Sequence, residues 1–350
     1  MSELDSLQKF NISVVIPAFN AENYLPLLLE SIEAQTFKPK EIVIVDSSLH
    51  GLTHNLLEGW RGEIPIIHKK IKFSYPGNAR NIGVQVASSD WIAFLDCRTR
   101  PNPDWLESSA LIARQFNVEF VGALCLSEAD TDFKKVLLAA TYGHEMMRTL
   151  PGSLIFKKAF DRSGGFLPLI RAGEDIEWMQ RIKALNISSA NVCTATIRYD
   201  GFAETLWEAI RKWYVYAIAN AAIDVRNDQK KVYFLAFIIL MIALVYRWNF
   251  IFAAYSMREF YIPNITKIFV SFLFLAYVVY RGIIRPRRVH VTWAYLMPLR
   301  WVKVSFVGLC LDSAKAPGLL LGAILLLKRR TGGMLNRWRL SRSSDVNHKL

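Results

Sequence analysis

The hydrophobic positions of the first hundred residues alternate between short β-branched runs and stretches with helical spacing. Residues 12–17 and 41–46 are strand-like runs, and residues 91–96 form a third apolar run that ends in a carboxylate. Residues 21–34 place apolar side chains at helical spacing, and residues 76–87 also have the character of a helix. The order strand, helix, strand, helix, strand predicts an α/β domain, doubly wound around parallel strands.

Two of these runs end in an aspartate. Asp46 closes the second run, and Asp96 closes the third, which continues as W-I-A-F-L-D-C-R-T-R-P-N-P over residues 91–103. Open α/β sheets bind their ligands in the crevice beyond the carboxyl ends of the strands. The sequence therefore predicts a functional site at this edge of the sheet.

Several short motifs follow one another in a fixed order. They are V-V-I-P-A-F-N-A-E-N-Y-L (14–25), I-V-I-V-D (42–46), G-N-A-R-N-I-G (77–83), F-L-D (94–96), P-N-P-D-W-L (101–106), G-G-F (164–166) and G-E-D-I-E-W-M-Q-R (173–181). Each motif is weak alone, but their order and spacing resemble the family 2 glycosyltransferases of the GT-A fold, from about residue 12 to about residue 216. The resemblance implies a Rossmann-like mixed sheet and a nucleotide-diphosphate sugar as donor.

The resemblance also implies roles for residues at the strand ends. Asp46 would recognise the base or ribose, although the family usually continues with Asp-Gly where this chain has Ser47-Ser48. A structural alternative is that Asp46 caps the following turn. Arg80 faces the nucleotide or forms an ion pair with Asp96 or Asp46. The expected donor-binding residues are Pro17, Asp46, Arg80, Asn81, Asp96 and Arg98.

Asp96 stands where the family has a D-x-D motif, whose carboxylates hold a divalent ion against the donor diphosphate. This chain has Asp96-Cys97-Arg98, so a cation replaces the second carboxylate. One carboxylate is a poor site for Mg²⁺ or Mn²⁺, although substrate phosphates and water can complete the coordination shell. A guanidinium can neutralise a diphosphate directly. The cofactor expectation is therefore either a weakly held Mg²⁺ or Mn²⁺ at Asp96 or metal-independent transfer.

The acidic pair Glu174-Asp175 opens a predicted helix after a glycine-rich stretch. By resemblance this pair contains the catalytic base, and Asp175 is expected to deprotonate an acceptor hydroxyl. The structural alternative for Asp175 is a helix N-cap. Trp178 and Arg181 share roughly one helix face with Asp175, which predicts that they lie on the acceptor side.

Composition adds a membrane to this picture. The 350 residues carry a formal net charge of +13, and 52% of them are hydrophobic. A basic and apolar composition favours a membrane surface over nucleic acid as the partner, and no nucleic-acid recognition motif is present.

The four cysteines are scattered without ligand spacing, which fits a reducing compartment. His50 and His54 lack a third metal ligand and are expected to be solvated. The N-terminus lacks the charged start of a secretory signal peptide.

Apolar blocks and basic clusters alternate from residue 231 onward. Residues 232–246 with 248–255, and residues 268–280, predict a transmembrane hairpin over 226–290 behind a GT-A domain over 1–225. Buried core helices are the alternative. Lys230-Lys231 before the hairpin and four arginines after it predict a catalytic domain that faces the cytoplasm. Residues 291–350 are expected to form interfacial amphipathic helices and a basic tail, with 319–327 lying deeper.

The combined hypothesis is a membrane-anchored inverting glycosyltransferase. Its acceptor would be a lipid-linked saccharide or a polyprenyl carrier at the membrane. One alternative is a degenerate relative that binds nucleotide sugar without turnover, which Arg98 and Ser47 favour and Glu174-Asp175 disfavours. A second alternative is a membrane scaffold or transport component, which the lack of polar residues in the apolar blocks disfavours.

Overall fold

The computed structural model describes residues 10–223, residue 235 and residues 264–331. Within this part the chain forms two compact units. The first unit comprises residues 10–129 and 145–201, and the second comprises residues 130–144, 202–223 and 264–331. The second unit thus contains the short segment 130–144 and the part of the chain from Phe202 onward. The division predicted at residue 225, with a membrane hairpin beyond it, stays a prediction.

The first unit is built on one nine-stranded mixed sheet with the order β3-β2-β1-β4-β7-β6-β9-β5, in which β8 also pairs with β6. The strands are β1 (Ile12–Ala18), β2 (Glu41–Asp46), β3 (Ile66–Lys70), β4 (Trp91–Phe94), β5 (Thr99–Pro101), β6 (Phe120–Ser127), β7 (Met147–Phe156), β8 (Ser189–Asn191) and β9 (Ile197–Tyr199). The strands β3, β2, β1 and β4 run parallel, and β7 pairs antiparallel with both β4 and β6. The mixed, doubly wound sheet predicted from the sequence is confirmed.

Helices cover both faces of this sheet. They are α1 (Leu25–Glu33), α2 (Leu52–Gly59), α3 (Pro76–Val86), α4 (Trp105–Gln115), α6 (Lys157–Ser163) and α7 (Glu174–Ala184), whereas α5 (Asp132–Ala140) belongs to the second unit. One hydrophobic cluster joins α1 and α4 to one face, and another joins α3, α6 and α7 to the other. The central strands are buried on both faces, which explains their continuous β-branched composition.

Gly83 sets how closely α3 lies on the sheet. A Cβ at this position would collide with the Val15 side chain of β1. The absence of a side chain therefore lets the helix approach the strand, and this explains the second glycine of the G-N-A-R-N-I-G motif. The close approach brings the amino-terminal turn of α3, with Arg80, to the carboxyl edge of the sheet.

The second unit is helical in the part that the structure describes. Besides α5, it contains α8 (Leu206–Ala222), α9 (Asn264–Val279), a π-helical turn (Tyr280–Ile284), α10 (Arg285–Arg288), α11 (Trp293–Leu296) and α12 (Arg300–Thr331). The helix α12 packs against α8 through small residues: a Cβ at Gly318 would lie 2.7 Å from the Tyr214 carbonyl, and a Cβ at Gly322 would collide with the Ile218 carbonyl. The two backbones approach because both positions lack a side chain.

A buried arginine joins three segments of the second unit. Arg281 lies in the π-helical turn and is 2% exposed. Its guanidinium donates to the carbonyls of Ala140 and Gly308 at 3.3 and 3.1 Å, and its Nε lies 2.9 Å from Asp312 Oδ2. Gly308 is necessary here, because a Cβ would lie 2.8 Å from the Arg281 Nε.

The predicted membrane segments have different outcomes. The first arm of the hairpin, residues 232–255, lies outside the described residues. The second arm corresponds to α9, a 16-residue helix. In the region expected to form interfacial helices, α11 is followed by the 32-residue helix α12, which passes through Pro317 without a break. The expected position of these helices in the membrane interface stays a prediction. Among the described residues, 300–327 is the one stretch of helix long and apolar enough to cross a membrane, which is weak evidence that it does so.

Candidate active site

The predicted site residues gather at the carboxyl ends of β1, β2 and β4. Ala18 and Asp46, the last residues of their strands, are paired in the parallel register. Asp96 follows two residues after the end of β4. This is the edge where open α/β sheets bind ligands. The sheet therefore delivers both strand-end aspartates to one side of the first unit.

Arg80 joins the strand edge to the acidic pair of α7. Its guanidinium donates to Asp96 Oδ1 at 2.6 Å and to Glu174 Oε1 at 3.0 Å, and the side chain is 4% exposed. Burial alone would lower the pKa of Arg80, but the charges of Asp96 and Glu174 outweigh burial and raise it. The expected ion pair with Asp96 is present. The second partner, Glu174, lies 94 residues along the chain and was not predicted.

Asp175 follows Glu174 on the same turn of α7. Its Oδ1 accepts a hydrogen bond from the Ile176 backbone N–H at 2.8 Å. Burial raises the pKa of Asp175 above its ordinary range, although the charge of Arg80 acts in the opposite direction. A carboxylate with a raised pKa is a stronger base than an exposed one. The geometry is therefore compatible with proton abstraction at this position.

The turn before α7 requires a glycine. Gly173 precedes the helix with φ of 85°, in the left-handed region that side chains disfavour. The N-cap alternative for Asp175 is not the observed arrangement, because Gly173 occupies the N-cap and Asp175 lies inside the first turn.

Asn81 fastens the preceding loop to α3. Its side-chain amide donates to the Phe166 carbonyl at 2.9 Å, and its Oδ1 accepts from the Phe166 N–H at 2.8 Å. A Cβ at Gly77 would lie 2.7 Å from the Leu167 carbonyl, so α3 and this loop are in close contact. Asn81 therefore positions this loop, and its donor-binding role stays a prediction.

Trp178 lies in the hydrophobic core and not on the acceptor side. It has no exposed surface, and its indole N–H donates to Ser163 Oγ at 2.8 Å. Its ring packs 4.7 Å from that of Phe166 and 6.0 Å from that of Phe94. The acceptor-side prediction for Trp178 is wrong, because the face of α7 that carries it is covered by the sheet.

Arg181 holds the glycine-rich loop. Its guanidinium donates to the carbonyls of Ser163 and Gly165 at 2.5 and 2.6 Å and pairs with Glu177. These bonds engage Nε and both terminal nitrogens. Arg181 therefore supports the loop before α7, and its place on the acceptor side stays a prediction.

Asp46 is fully buried beneath a lysine. Its Oδ1 accepts from the Ser48 N–H at 2.8 Å, and its Oδ2 lies 3.0 Å from Lys70 Nζ and 3.3 Å from His68 Nε2. Burial opposes the charge of Asp46, but the bonds from Ser48 and Lys70 outweigh burial and keep its pKa below the ordinary value. The turn-capping role is present. The group that faces solvent here is the Lys70 ammonium, with the side chain 47% exposed.

Arg98 is exposed at the edge of the site. Its guanidinium stacks over the Tyr24 ring, 4.4 Å from the centroid, and it has no carboxylate partner among the residues that the structure describes. Its neighbour Cys97 donates to the Pro17 carbonyl at 3.3 Å, which places Pro17 beside the Asp96–Arg98 turn. Pro17 and Arg98 thus lie where a donor-binding role was predicted.

The side chains at the D-x-D position do not fit an ordinary divalent cation site. Asp96 supplies one carboxylate, and one of its oxygens already accepts from Arg80. No group of three His, Cys, Asp or Glu side chains within the described ranges could hold a metal ion, and His50 and His54 belong to no such group. Hard cations require several oxygen ligands. The described residues therefore supply too few oxygen ligands to hold a divalent cation at this position by themselves.

Sequence reasoning missed Lys70, His68 and Tyr24. The strand β3 reads I-I-H-K-K and is only partly buried, so it lacks the continuous apolar run of its neighbours. A parallel register with β2 is needed to place Lys70 opposite Asp46. Tyr24 lies within the predicted helix over residues 21–34, and its spacing gives no sign that its ring supports Arg98.

The open mixed sheet, its strand-end carboxylates and the buried acidic pair together define an α/β domain with a candidate active site at the carboxyl edge of the sheet. Residues 13–173 match the model of glycosyl transferase family 2. This part of the chain is a family 2 glycosyltransferase domain of the GT-A fold, and the protein is a glycosyltransferase.

The chain is similar to several distant relatives. The chain is 26% identical, over 59% of its length and 86% of the relative, to TuaG of Bacillus subtilis, a glycosyltransferase assigned to teichuronic acid biosynthesis. It is 29% identical to the poly(ribitol-phosphate) beta-N-acetylglucosaminyltransferase TarS of Staphylococcus aureus, over 28% of this chain but only 18% of that protein. A crystal structure of TarS residues 1–349 with UDP-GlcNAc covers 92% of both chains at 18% identity, with a TM-score of 0.43.

Proposed function

We propose that the protein is an inverting glycosyltransferase that moves a sugar from a nucleotide-diphosphate sugar to a membrane-associated acceptor, a lipid-linked saccharide or a polyprenyl carrier. The observation that carries the proposal is the position of Arg80. Its guanidinium pairs with Asp96, beyond the end of β4, and with Glu174 of α7, the neighbour of Asp175 in sequence, so the expected donor-binding residues and the expected catalytic base lie at one edge of the sheet.

In this mechanism Asp175 acts as general base. It takes the proton of an acceptor hydroxyl, and the oxygen attacks the anomeric carbon from the face opposite the leaving group. The bond from the anomeric carbon to the diphosphate oxygen breaks, and the nucleoside diphosphate leaves with the bonding electrons. Such base assistance contributes about 10² to 10⁴ in rate. The raised pKa of Asp175 supports this role.

The negative charge that develops on the leaving diphosphate needs a cation. We infer that Arg98 supplies it, because the D-x-D position offers one carboxylate and the guanidinium of Arg98 is exposed. A planar guanidinium can bind phosphate oxygens with two hydrogen bonds. No step of the proposed reaction passes through a metal ion.

Related proteins support the donor class. TarS is named as a beta-N-acetylglucosaminyltransferase, and its structures contain UDP-GlcNAc or UDP. At the carboxyl end of β2, the Lys70 ammonium can donate a hydrogen bond to a carbonyl of the nucleobase, and Asp46 holds that lysine in place. These features support a nucleotide sugar as donor and leave the sugar open.

The test is release of nucleoside diphosphate from a panel of nucleotide sugars, with bacterial membrane extract as the source of acceptor. Asp175→Asn should lower transfer by about 10² to 10⁴, because the amide keeps the shape and loses the base. Donor binding by calorimetry should be nearly unchanged. Asp161→Asn, which removes a carboxylate from α6, is the control. Turnover by Asp175→Asn close to the wild-type rate would exclude Asp175 as the base.

A further inference from the structure

Within α9, four consecutive residues expose apolar side chains on all sides of the helix. Phe272, Leu273, Phe274 and Leu275 are consecutive and between 50% and 65% exposed. Since successive helix residues are about 100° apart, four in a row point all round the helix axis. An apolar surface of this kind is not stable in water. Lipid hydrocarbon is the environment in which it is stable.

The character of the surface changes where α9 ends. Residues 268–280 contain no charged side chain, and the chain then continues with Arg281, Arg285, Arg287 and Arg288. Arg281 is buried, whereas Arg287 and Arg288 are exposed. The exposed surface therefore passes from apolar to basic within about two helical turns.

Aromatic rings accompany these cations. Trp293 is 50% exposed, and the Arg287 guanidinium lies 5.2 Å from its ring centroid. Arg300 lies 4.8 Å from the centroid of the Tyr295 ring. Tryptophan and tyrosine are enriched at the level of lipid headgroups, together with lysine and arginine. We name the exposed set Arg287, Arg288, Trp293, Arg300 and Lys303 the basic–aromatic belt.

The belt has an excess of positive charge. Asp132 pairs with Arg300 at 3.3 Å and approaches Lys303 at 3.9 Å, so one carboxylate faces two cations. Arg287 and Arg288 form no ion pair with any residue in the described segments of the chain. Apolar side chains stand among the cations, with Leu299 71% and Phe306 57% exposed.

We infer that the basic–aromatic belt binds the anionic headgroups of a phospholipid bilayer while α9 lies in the adjoining hydrocarbon. Charge complementarity selects anionic over zwitterionic lipid, because each exposed cation near such a surface contributes to binding. The apolar helix beside the belt selects a bilayer over a soluble anion. The inference rests on the membrane location in the proposed function, and it is independent of the reaction.

The experiment uses the full chain reconstituted into phosphatidylcholine vesicles. One set of vesicles contains brominated phosphatidylglycerol, and the other contains brominated phosphatidylcholine at the same mole fraction. Bromine quenches tryptophan fluorescence on contact. The emission of wild type minus that of Trp293→Phe isolates Trp293. This difference should be quenched more by the anionic lipid. The excess should fall as salt is added, because exposed charges are screened.

Arg288→Gln/Lys303→Gln should reduce the excess at low salt, because each exposed cation contributes about fivefold to the affinity for anionic lipid. Arg114→Gln/Lys158→Gln removes the same charge from exposed positions of the first unit and should leave the excess unchanged. Absence of quenching, equal quenching by the two lipids, or an excess that survives the belt variant would each overturn the inference. Nucleoside diphosphate release by the same vesicles reports on the proposed reaction separately.

Discussion

Arg98 stands on Tyr24 with its guanidinium open to solvent, at the position where a second carboxylate would hold a cation. The aromatic ring restricts the arginine without consuming its N–H donors, since a cation–π contact uses the flat face. An arginine held in this way is prepared to receive an anionic group. Here, as at Ser47-Ser48, the chain departs from the pattern that its family resemblance implies.

We expect Arg98→Ala to weaken donor binding by about 1.5–3 kcal/mol, the range for hydrogen bonds to charged groups. Calorimetry with the nucleotide-sugar donor, with and without chelator, measures this. The unmodified protein should bind donor equally well in chelator, and Arg98→Asp should make any remaining activity depend on Mn²⁺ or Mg²⁺. Loss of all donor binding by the unmodified protein in chelator would restore a metal-dependent mechanism.

The raised pKa of Asp175 predicts the pH dependence of catalysis. A general base must be deprotonated, so kcat should fall as the pH decreases through the pKa of Asp175 in the complex. Because burial raises that pKa, the acidic limb should lie above the ordinary aspartate value of about 3.9. A pH profile of kcat, with protein stability checked at each pH, tests this. An acidic limb at or below the ordinary value would argue against Asp175.

At the scale of elements, the site depends on α3, β4 and α7 being fixed to one another by Arg80. Arg80→Ala should lower the free energy of unfolding by about 3–5 kcal/mol, because Glu174 would remain buried without its partner. Arg162→Ala removes an exposed ion pair with Glu119 and should cost no more than about 1 kcal/mol. Urea unfolding followed by near-ultraviolet circular dichroism compares the two. Equal losses would mean that Arg80 does not hold the site together.

The contact between α8 and α12 depends on glycine in the same way. Gly322→Ala places a Cβ against the Ile218 carbonyl and the Ala221 side chain, which should force the helices apart. The expected loss of stability is about 1–3 kcal/mol, as for other overpacked interiors. Gly59→Ala is a matched control, because a Cβ there meets nothing within 4 Å. Thermal unfolding in detergent measures both, and a harmless Gly322→Ala would show that α8 and α12 are not held by this contact.

These elements show which parts of the fold could be predicted from the sequence. The runs that became β1, β2 and β4 were predictable because strands buried on both faces are continuously apolar. The strand β3 was missed because its mixed composition carries no period. The face of α7 that carries Trp178 was assigned to the wrong side, since helical spacing shows which residues share a face but not what covers it. The pairing of Arg80 with Glu174 requires the folded sheet.

At the scale of the whole molecule, membrane attachment should depend on the second unit. A chain that ends near residue 225 lacks α9 and α12, and it should leave the membrane in a high-salt wash that retains the full chain. Without α12, α8 loses its main partner, so the truncated protein should need mild detergent to stay dispersed. Fractionation followed by immunoblotting measures both. Retention of the truncated chain after the wash would place the anchor elsewhere.

The bond between Arg80 and Glu174 joins residues that are synthesised at different times. The two residues are 94 positions apart, and ribosomes add roughly 5–20 residues per second. A nascent chain therefore carries Arg80 for about 5–20 seconds before its second carboxylate has been synthesised. During that interval Asp96 is the one partner of the arginine that already exists. Asp175, the expected base, is synthesised directly after Glu174, so the arginine acquires its second carboxylate at the same time as the domain acquires its base.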